Sequence, residues 1–169
     1  KVVQTTGVDL AKLRAQVQSK NVEWDLISIP DRLRYTAVKD GLLSPLNYGT
    51  INAKDVIPAL VSEYAVGCVT IPMLLTYSTK AYPAGKAPQT WMDFWDPKKF
   101  PGPRGMYNAP TYILEFALIA DGVPKDKLYP LDVQRALKSL DRIKGDVKVW
   151  WAPVPQPGVL LKSGEITMT

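Results

Sequence analysis

The stretch Lys86–Gly105, KAPQTWMDFWDPKKFPGPRG, constrains the fold more than any other part of the chain. Trp91, Phe94 and Trp95 stand close together, and Pro97, Pro101 and Pro103 follow at once. The hydroxyl of Thr90 can accept a backbone N–H of a first helical turn, so Thr90 reads as an N-cap. From there the three rings recur at i, i+3 and i+4, which places them on one face of a short helix. Burying each ring contributes roughly 1.5–3 kcal/mol. Pro97 cannot extend that helix. The pattern predicts an aromatic plug closed by a stiff turn and followed by a strand. Its rings are expected to cap a core rather than to touch a ligand.

The chain has 169 residues, 46% of them hydrophobic, enough for one substantial core or two small lobes. No run of apolar residues is long enough for a membrane-spanning helix. The net charge is +5. Residues 1–80 carry 9 basic and 7 acidic groups, and residues 81–169 carry 12 and 9. An excess spread this evenly lacks the concentrated basic face that nucleic acid requires. Histidine is absent, which removes His-based metal sites and His-dependent nucleophilic catalysis. Cys68 is the only cysteine, so no internal disulfide forms. Its apolar surroundings predict a buried small hydrophobe. The chain opens on KVVQTT and closes on EITMT, both strand-like and without a leader, and is expected to be an internal segment of a longer protein.

Along the chain, Lys1–Thr6 reads as a strand. Asp9 caps a helix over Leu10–Ser19 with Leu10, Leu13 and Val17 on one stripe. Trp24–Ile29, WDLISI, reads as a buried strand stopped by Pro30. Leu33–Lys39 reads as a helix closed by Gly41. Leu42–Ser62 is loop-rich, with a short helix near Ile57–Ser62. Gly67–Ser78 has the look of a central strand, although Pro72 forces an irregularity or an edge position. Arg104–Tyr107 is a strand. Thr111–Ala120 is an apolar helix with Gly122 as its left-handed stop. Asp132 caps a helix through Lys144 with Val133, Ala136, Leu137, Leu140 and Ile143 on its stripe, and Gly145 stops it. Val147–Trp151 is a strand, Pro157 opens a helix ending at Ser163-Gly164, and Ile166–Thr169 is a final strand. Strands alternating with helices predict an α/β fold with a mostly parallel sheet.

In such sheets, ligands bind beyond the carboxyl ends of strands, where helix N-termini point into a crevice. Three proline-stiffened corners meet that description: Ile29–Arg32, Asn108–Thr111 and Ala152–Pro157. Each offers backbone N–H groups to a polar ligand, and each also reads as an ordinary strand-to-helix connection. Trp150 and Trp151 point to opposite faces, so one joins the core and the other is free to line a cleft. Glu115 interrupts an apolar helix, and a buried carboxylate needs a partner, here expected to be an Arg or a backbone group. Glycine-rich phosphate loops are absent, and no carboxylate pair has catalytic spacing. Nothing in the residues argues for an enzyme.

WDLISI with DGLLSPL, APQTWMDFWDPKKFPGPRG, LEFALIADGVPKDKLYPLDVQRALKSLDRIKGDVKVWW and LLKSGEITM together resemble the spermidine/putrescine-type extracellular solute-binding proteins of ABC transporters. The resemblance runs from about Val2 to Thr169. It implies a type II periplasmic-binding fold, an α/β architecture of two lobes clamping a ligand between them. Residues 1–66 would be a partial lobe one, residues 67–81 the interlobe crossing, and residues 82–169 the core of a nearly complete lobe two. It implies a periplasmic or extracellular receptor that binds a small polar solute, a polyamine or another small organic ion, and hands it to a membrane permease. Catalysis, metal and cofactor are not implied. By position, the candidate ligand contacts are Pro30, Asp31 and Arg32, then Thr70, Ile71 and Pro72, then Asn108, Ala109 and Tyr112. Trp151 and Gln156 join them from the third corner.

Polyamine binders place carboxylates at the lobe-two positions, and this sequence has none there. A closed cleft holding an uncompensated amine is expensive, and Arg32 further disfavours a polycation. In this fold KVVQTT and WDLISI would flank a strand absent from the chain, so the opening residues are expected to repack or to pair with a second copy as a strand-swapped dimer. The alternative function is the effector-sensing domain of a transcription regulator, which uses the same fold; a helix-turn-helix would then precede Lys1.

Overall fold

The computed structural model describes residues 3–4 and 9–169. The chain forms two compact units, Lys1–Ile71 and Pro72–Thr169, and their boundary falls within residues 67–81.

In the first unit, helix α1 spans Leu10–Gln18, and the Asp9 carboxylate accepts the backbone N–H of Lys12 at 2.7 Å, as its capping role requires. Helix α2 spans Asp31–Lys39 and ends where Gly41 takes a left-handed φ of +66°. Leu13, Ala37 and Leu42 form the buried centre, with Leu10, Val17, Trp24, Ile27 and Ile29 packed against it. Arg14 pairs with Asp40. A turn of 3-10 helix at Pro58–Leu60 leads into a two-stranded antiparallel hairpin of β1, Val61–Ser62, and β2, Ala65–Val66.

Two expectations fail in this unit, and a third lies mostly outside the described residues. WDLISI is not a strand: it is irregular, with a bend at Asp25, pairs with nothing among the described residues, and leaves Leu26 84% exposed. A strand exists only as a rung of a ladder, and the hydrophobic run alone supplies no partner. The strand expected over Lys1–Thr6 lies mostly outside the described residues; Val3 and Gln4, which are described, are exposed and in no strand, and nothing supports a strand-swapped dimer. Cys68 is exposed rather than buried, because the segment around it is not an inner strand.

The second unit is built on parallel pairing. Strand β3, Arg104–Tyr107, lies beside β4, Val147–Trp151, with Gly105 opposite Val149 and Tyr107 opposite Trp151. The final segment lies on the other side of β3: the Thr167 amide donates to Pro103 at 2.7 Å, and the Gly105 amide donates to Met168 at 2.9 Å. Beyond it, Thr76 and Ser78 pair antiparallel with Thr169 and Thr167. The expected central strand over Gly67–Ser78 is therefore only an edge pairing at its carboxyl end. Pro72 lacks the N–H that a longer ladder needs, and Val69 and Ile71 stay exposed.

Helix α3, Trp91–Phe94, begins with a capping box in which Thr90 and Asp93 bond each other's backbone. Helix α4, Pro110–Ala120, and helix α5, Val133–Ile143, connect β3 to β4 and pack on each other. Ala136 and Ile143 are buried and Leu140 is packed, but Val133 and Leu137 are each 45% exposed, so the burying face of α5 is narrower than its apolar stripe. Asp121 joins the two helices, accepting from Arg135 and Arg142 at 2.6 Å each. Helix α6, Gln156–Ser163, closes at Gly164 with φ +77°. Phe94, Phe100, Met106, Ile113, Ile143, Val147 and Met168 make the main core, and Ala117, Leu118, Leu128 and Ala136 a second one between the helices.

Candidate functional site

A groove of about 260 Å³ opens in the second unit. Its floor is the carboxyl half of the parallel pair: Gly105, Met106 and Tyr107 of β3 and Trp151 of β4. Trp91 and Phe94 of α3 and Ile113 and Phe116 of α4 form one wall. Pro72, Met73, Leu74 and Thr76 form the other, and Pro157 and Thr169 complete the rim.

Two aromatic pairs shape this groove. The Trp91 ring lies flat on Phe116, with centroids 3.8 Å apart and planes 13° from parallel. Tyr107 leans on Trp151 at 5.0 Å. The Trp151 indole N–H donates to the Thr169 hydroxyl at 2.8 Å, which fixes the ring while leaving its face on the groove. Gly105 is required at the floor by close approach: a Cβ there would stand 2.6 Å from Ile166 Cδ1 and 3.3 Å from the Trp151 ring. Among the described residues no charged side chain lines the groove; its hydroxyls are those of Thr76, Tyr107 and Thr169.

The sequence-derived candidates divide between the units. Pro72 and Trp151 line the groove directly. Asn108, Ala109 and Tyr112 do not, but they form the link between two residues that do, Tyr107 and Ile113. The Asn108 amide donates to the Trp151 carbonyl at 2.7 Å and so extends the parallel ladder to the groove's edge. Gln156 opens α6 beside Pro157, its amide donating to Pro153 at 3.0 Å. In the first unit, Pro30 precedes α2, Arg32 is exposed, and the Asp31 carboxylate is taken by Arg34 at 2.6 Å. Thr70 and Ile71 are exposed. Of the paired tryptophans, Trp151 is the buried one at 8% exposure and Trp150 faces out at 41%.

The start of α4 departs from the regular helix expected there. Thr111 has ψ 129° and Tyr112 has φ +70°, a left-handed value that costs a bulky residue on the order of 1–3 kcal/mol. The jog interrupts the array of free N–H groups that an unbroken helix start would present. Glu115, one turn on, bonds neither an arginine nor the backbone: its Oε1 accepts the Tyr129 O–H at 2.8 Å, while its buried Oε2 has no partner among the described residues. That bond, with some burial, raises the Tyr129 pKa above its ordinary value.

Sequence reasoning missed Trp91, Tyr107, Phe116 and Thr169 as lining residues. The signal for two of them was present: Trp91 with Phe94 and Ile113 with Phe116 are i, i+3 pairs on two helices, and their facing stripes meet over β3. The plug expected only to cap a core also walls the groove. Among the described residues, no three Cys, Asp or Glu side chains gather closely enough to hold a metal ion.

This chain belongs to the family described as bacterial extracellular solute-binding proteins, whose pattern matches residues 1–169. It is 36% identical, over 172 aligned residues, to a gamma-aminobutyric acid-binding protein of Pseudomonas aeruginosa, covering 95% of this chain and 47% of that one. An ABC transporter substrate-binding protein from Bradyrhizobium japonicum superposes with a TM-score of 0.88 at 42% identity, over 94% of this chain and 49% of that one. The GABA receptor Atu4243 gives 0.88 at 36% identity, over 98% and 51%. The chain thus spans about half the length of these relatives. The fold is the type II periplasmic-binding fold, and family membership places the protein outside the cytoplasm, in the periplasm or beyond. No described helix is long and apolar enough to cross a membrane. These three relatives lend no support to polyamine specificity or to the regulator alternative.

Proposed function

We propose that the chain is the solute-recognising part of an ABC importer's binding protein, and that its solute is a small, net-neutral amino acid of the γ-aminobutyrate type. The uncharged aromatic groove at the carboxyl ends of β3 and β4 carries this reading. A polyamine brings two or more ammonium groups and finds no carboxylate in the groove, so it would lose its hydration without a counter-ion. A zwitterion brings its own counter-charge. Its methylene spine suits the apolar walls, and its ammonium is attracted to the faces of Trp and Tyr. The carboxylate is expected near Asn108, Ala109 and Tyr112, with Gln156 a neutral hydrogen-bonding partner at the groove's other end. Of the sequence-derived candidates, Pro30, Asp31, Arg32, Thr70 and Ile71 belong to the first unit and do not line this groove. The loaded protein would deliver its solute to a membrane permease. Two relatives near 36% identity, whose names specify γ-aminobutyrate, support the solute class.

Thermal denaturation with γ-aminobutyrate, putrescine, spermidine and acetate tests this directly. A ligand at a hundred times its Kd stabilises the folded state by about 2.7 kcal/mol, easily seen as a rise in Tm. γ-Aminobutyrate should raise Tm, and Trp151→Ala should abolish the rise. A rise with putrescine and none with γ-aminobutyrate would overturn the assignment.

A further inference from the structure

Arg104 is fully buried, at 0% exposure, yet no acidic side chain pairs with it among the described residues. Its guanidinium donates only to main-chain carbonyls: Nε to Phe94 at 2.8 Å, Nη1 to Gly102 at 2.8 Å and Nη2 to Phe100 at 2.7 Å. The guanidinium also lies 5.6 Å from the centre of the Phe94 ring. The neighbouring carbonyls are taken by other donors. Tyr82 donates its O–H to Pro101 at 2.7 Å, and Thr167 donates its amide to Pro103 at 2.7 Å. Every carbonyl from Phe100 to Pro103 is therefore occupied. A buried cation without a counter-ion is costly, and three carbonyl dipoles in a fixed fork offset that cost only if they are held in place.

The connections of this cradle give it a role beyond holding a loop. Phe94 belongs to the groove wall, Gly105 next to Arg104 belongs to its floor, and Thr167 is two residues from Thr169 on its rim. We propose that Arg104 is a positioning residue for the solute groove: by tying the end of α3 to β3 it sets the distance between the aromatic wall and the strand floor. Arginine suits this task because its planar fork reaches three diverging acceptors at once. The ammonium of a lysine is a single point and cannot span the three. The wall is thus preorganised before any solute arrives, which lowers the ordering cost of binding. The binding arm of the test rests on the solute reading above; the spectroscopic arm does not.

The test uses the whole chain labelled with 5-fluorotryptophan, whose five indoles give separate 19F signals, with the Trp91 signal assigned through Trp91→Phe. Arg104→Lys should shift or broaden the Trp91 signal and leave that of Trp24 unchanged. It should also weaken γ-aminobutyrate binding about tenfold at a temperature where both proteins are fully folded. Tyr82→Phe, a milder change that removes one strap and keeps the guanidinium, should move the Trp91 signal less. A purely structural role would lower Tm and leave both the Trp91 signal and the affinity untouched below it, and that result would overturn the proposal. If the unsubstituted chain binds no γ-aminobutyrate, the solute reading fails, while the 19F comparison still decides whether Arg104 sets the wall.

Discussion

The two units carry equally persuasive sequence patterns and achieve very different interiors. Among the described residues, Lys1–Ile71 buries three hydrophobic ones, Leu13, Ala37 and Leu42, and leaves Leu26, Ile57 and Ile71 exposed. Pro72–Thr169 buries Phe94, Leu118, Ile143, Ile166 and Met168 almost completely, and even a guanidinium. The difference is pairing. The second unit has a parallel ladder with helices laid on it, whereas WDLISI meets no ladder among the described residues. A hydrophobic segment becomes core only when its backbone polar groups are also satisfied. Without that, the side chains pack on one flank and the rest stays in water.

The largest effect expected from this contrast is in the second unit. Phe94→Ala should cost about 3–5 kcal/mol, because Phe94 contacts both tryptophans of the plug as well as the main core. Urea denaturation followed by tryptophan fluorescence measures it. Leu13→Ala should cost only about 2 kcal/mol, at the low end for such changes, since its cluster is shallow and can collapse. Hydrogen exchange of the α1 amides reports that loss locally. Equal costs at the two sites would break the comparison.

Helix caps should sharpen it from the opposite side. Asp9→Ala and Thr90→Ala each remove a side-chain bond to a first-turn amide, at 2.7 Å and 3.2 Å, and each should cost about 1 kcal/mol. Capping is local, so it should not sense how well the surrounding unit is built. Hydrogen exchange in α1 and α3 would show whether the two losses match.

The smallest effect concerns pH. Hydrogen bonds from Arg135 and then Arg142 hold the Asp121 carboxyl below its ordinary pKa. A carboxylate whose folded pKa is depressed contributes stability above the unfolded value of about 3.9, and that stability is lost as pH falls through the lower folded value. Asp121→Asn should therefore cost under about 1 kcal/mol at neutral pH and flatten the acid side of the stability profile. A urea titration series from pH 6 to pH 2, read on the second unit, checks both.

Much of the fold was legible. Asp9, Thr90 and Asp132 cap the helices they were expected to cap, and Gly41, Gly122 and Gly164 take positive φ just beyond helix ends. These are local interactions, decided within a few residues. The parallel strands followed from the alternation of strands with helices, and the outward and inward tryptophans of VKVWW from period-two alternation. The candidate site was only partly legible. Pro72 and Trp151 reach the groove, whereas Trp91, Phe116 and Thr169 become lining residues through contacts across long stretches of chain. No spacing rule encodes such a meeting.

From the sequence alone follow the six described helices and the strands β3 and β4, most of the helix caps and stops, the aromatic plug and the absence of histidine chemistry, because each rests on neighbours along the chain. Only the tertiary structure decided that WDLISI would meet no ladder among the described residues, that Cys68 would face water, that Tyr112 would take a left-handed turn, and that Arg104 would bind three carbonyls instead of a carboxylate. Those outcomes depend on which distant groups arrive to satisfy hydrogen bonds and fill space. The plug at Trp91–Phe94 belongs to both accounts: its helix is written locally, and its place on the groove is set by the strand and the arginine beneath it.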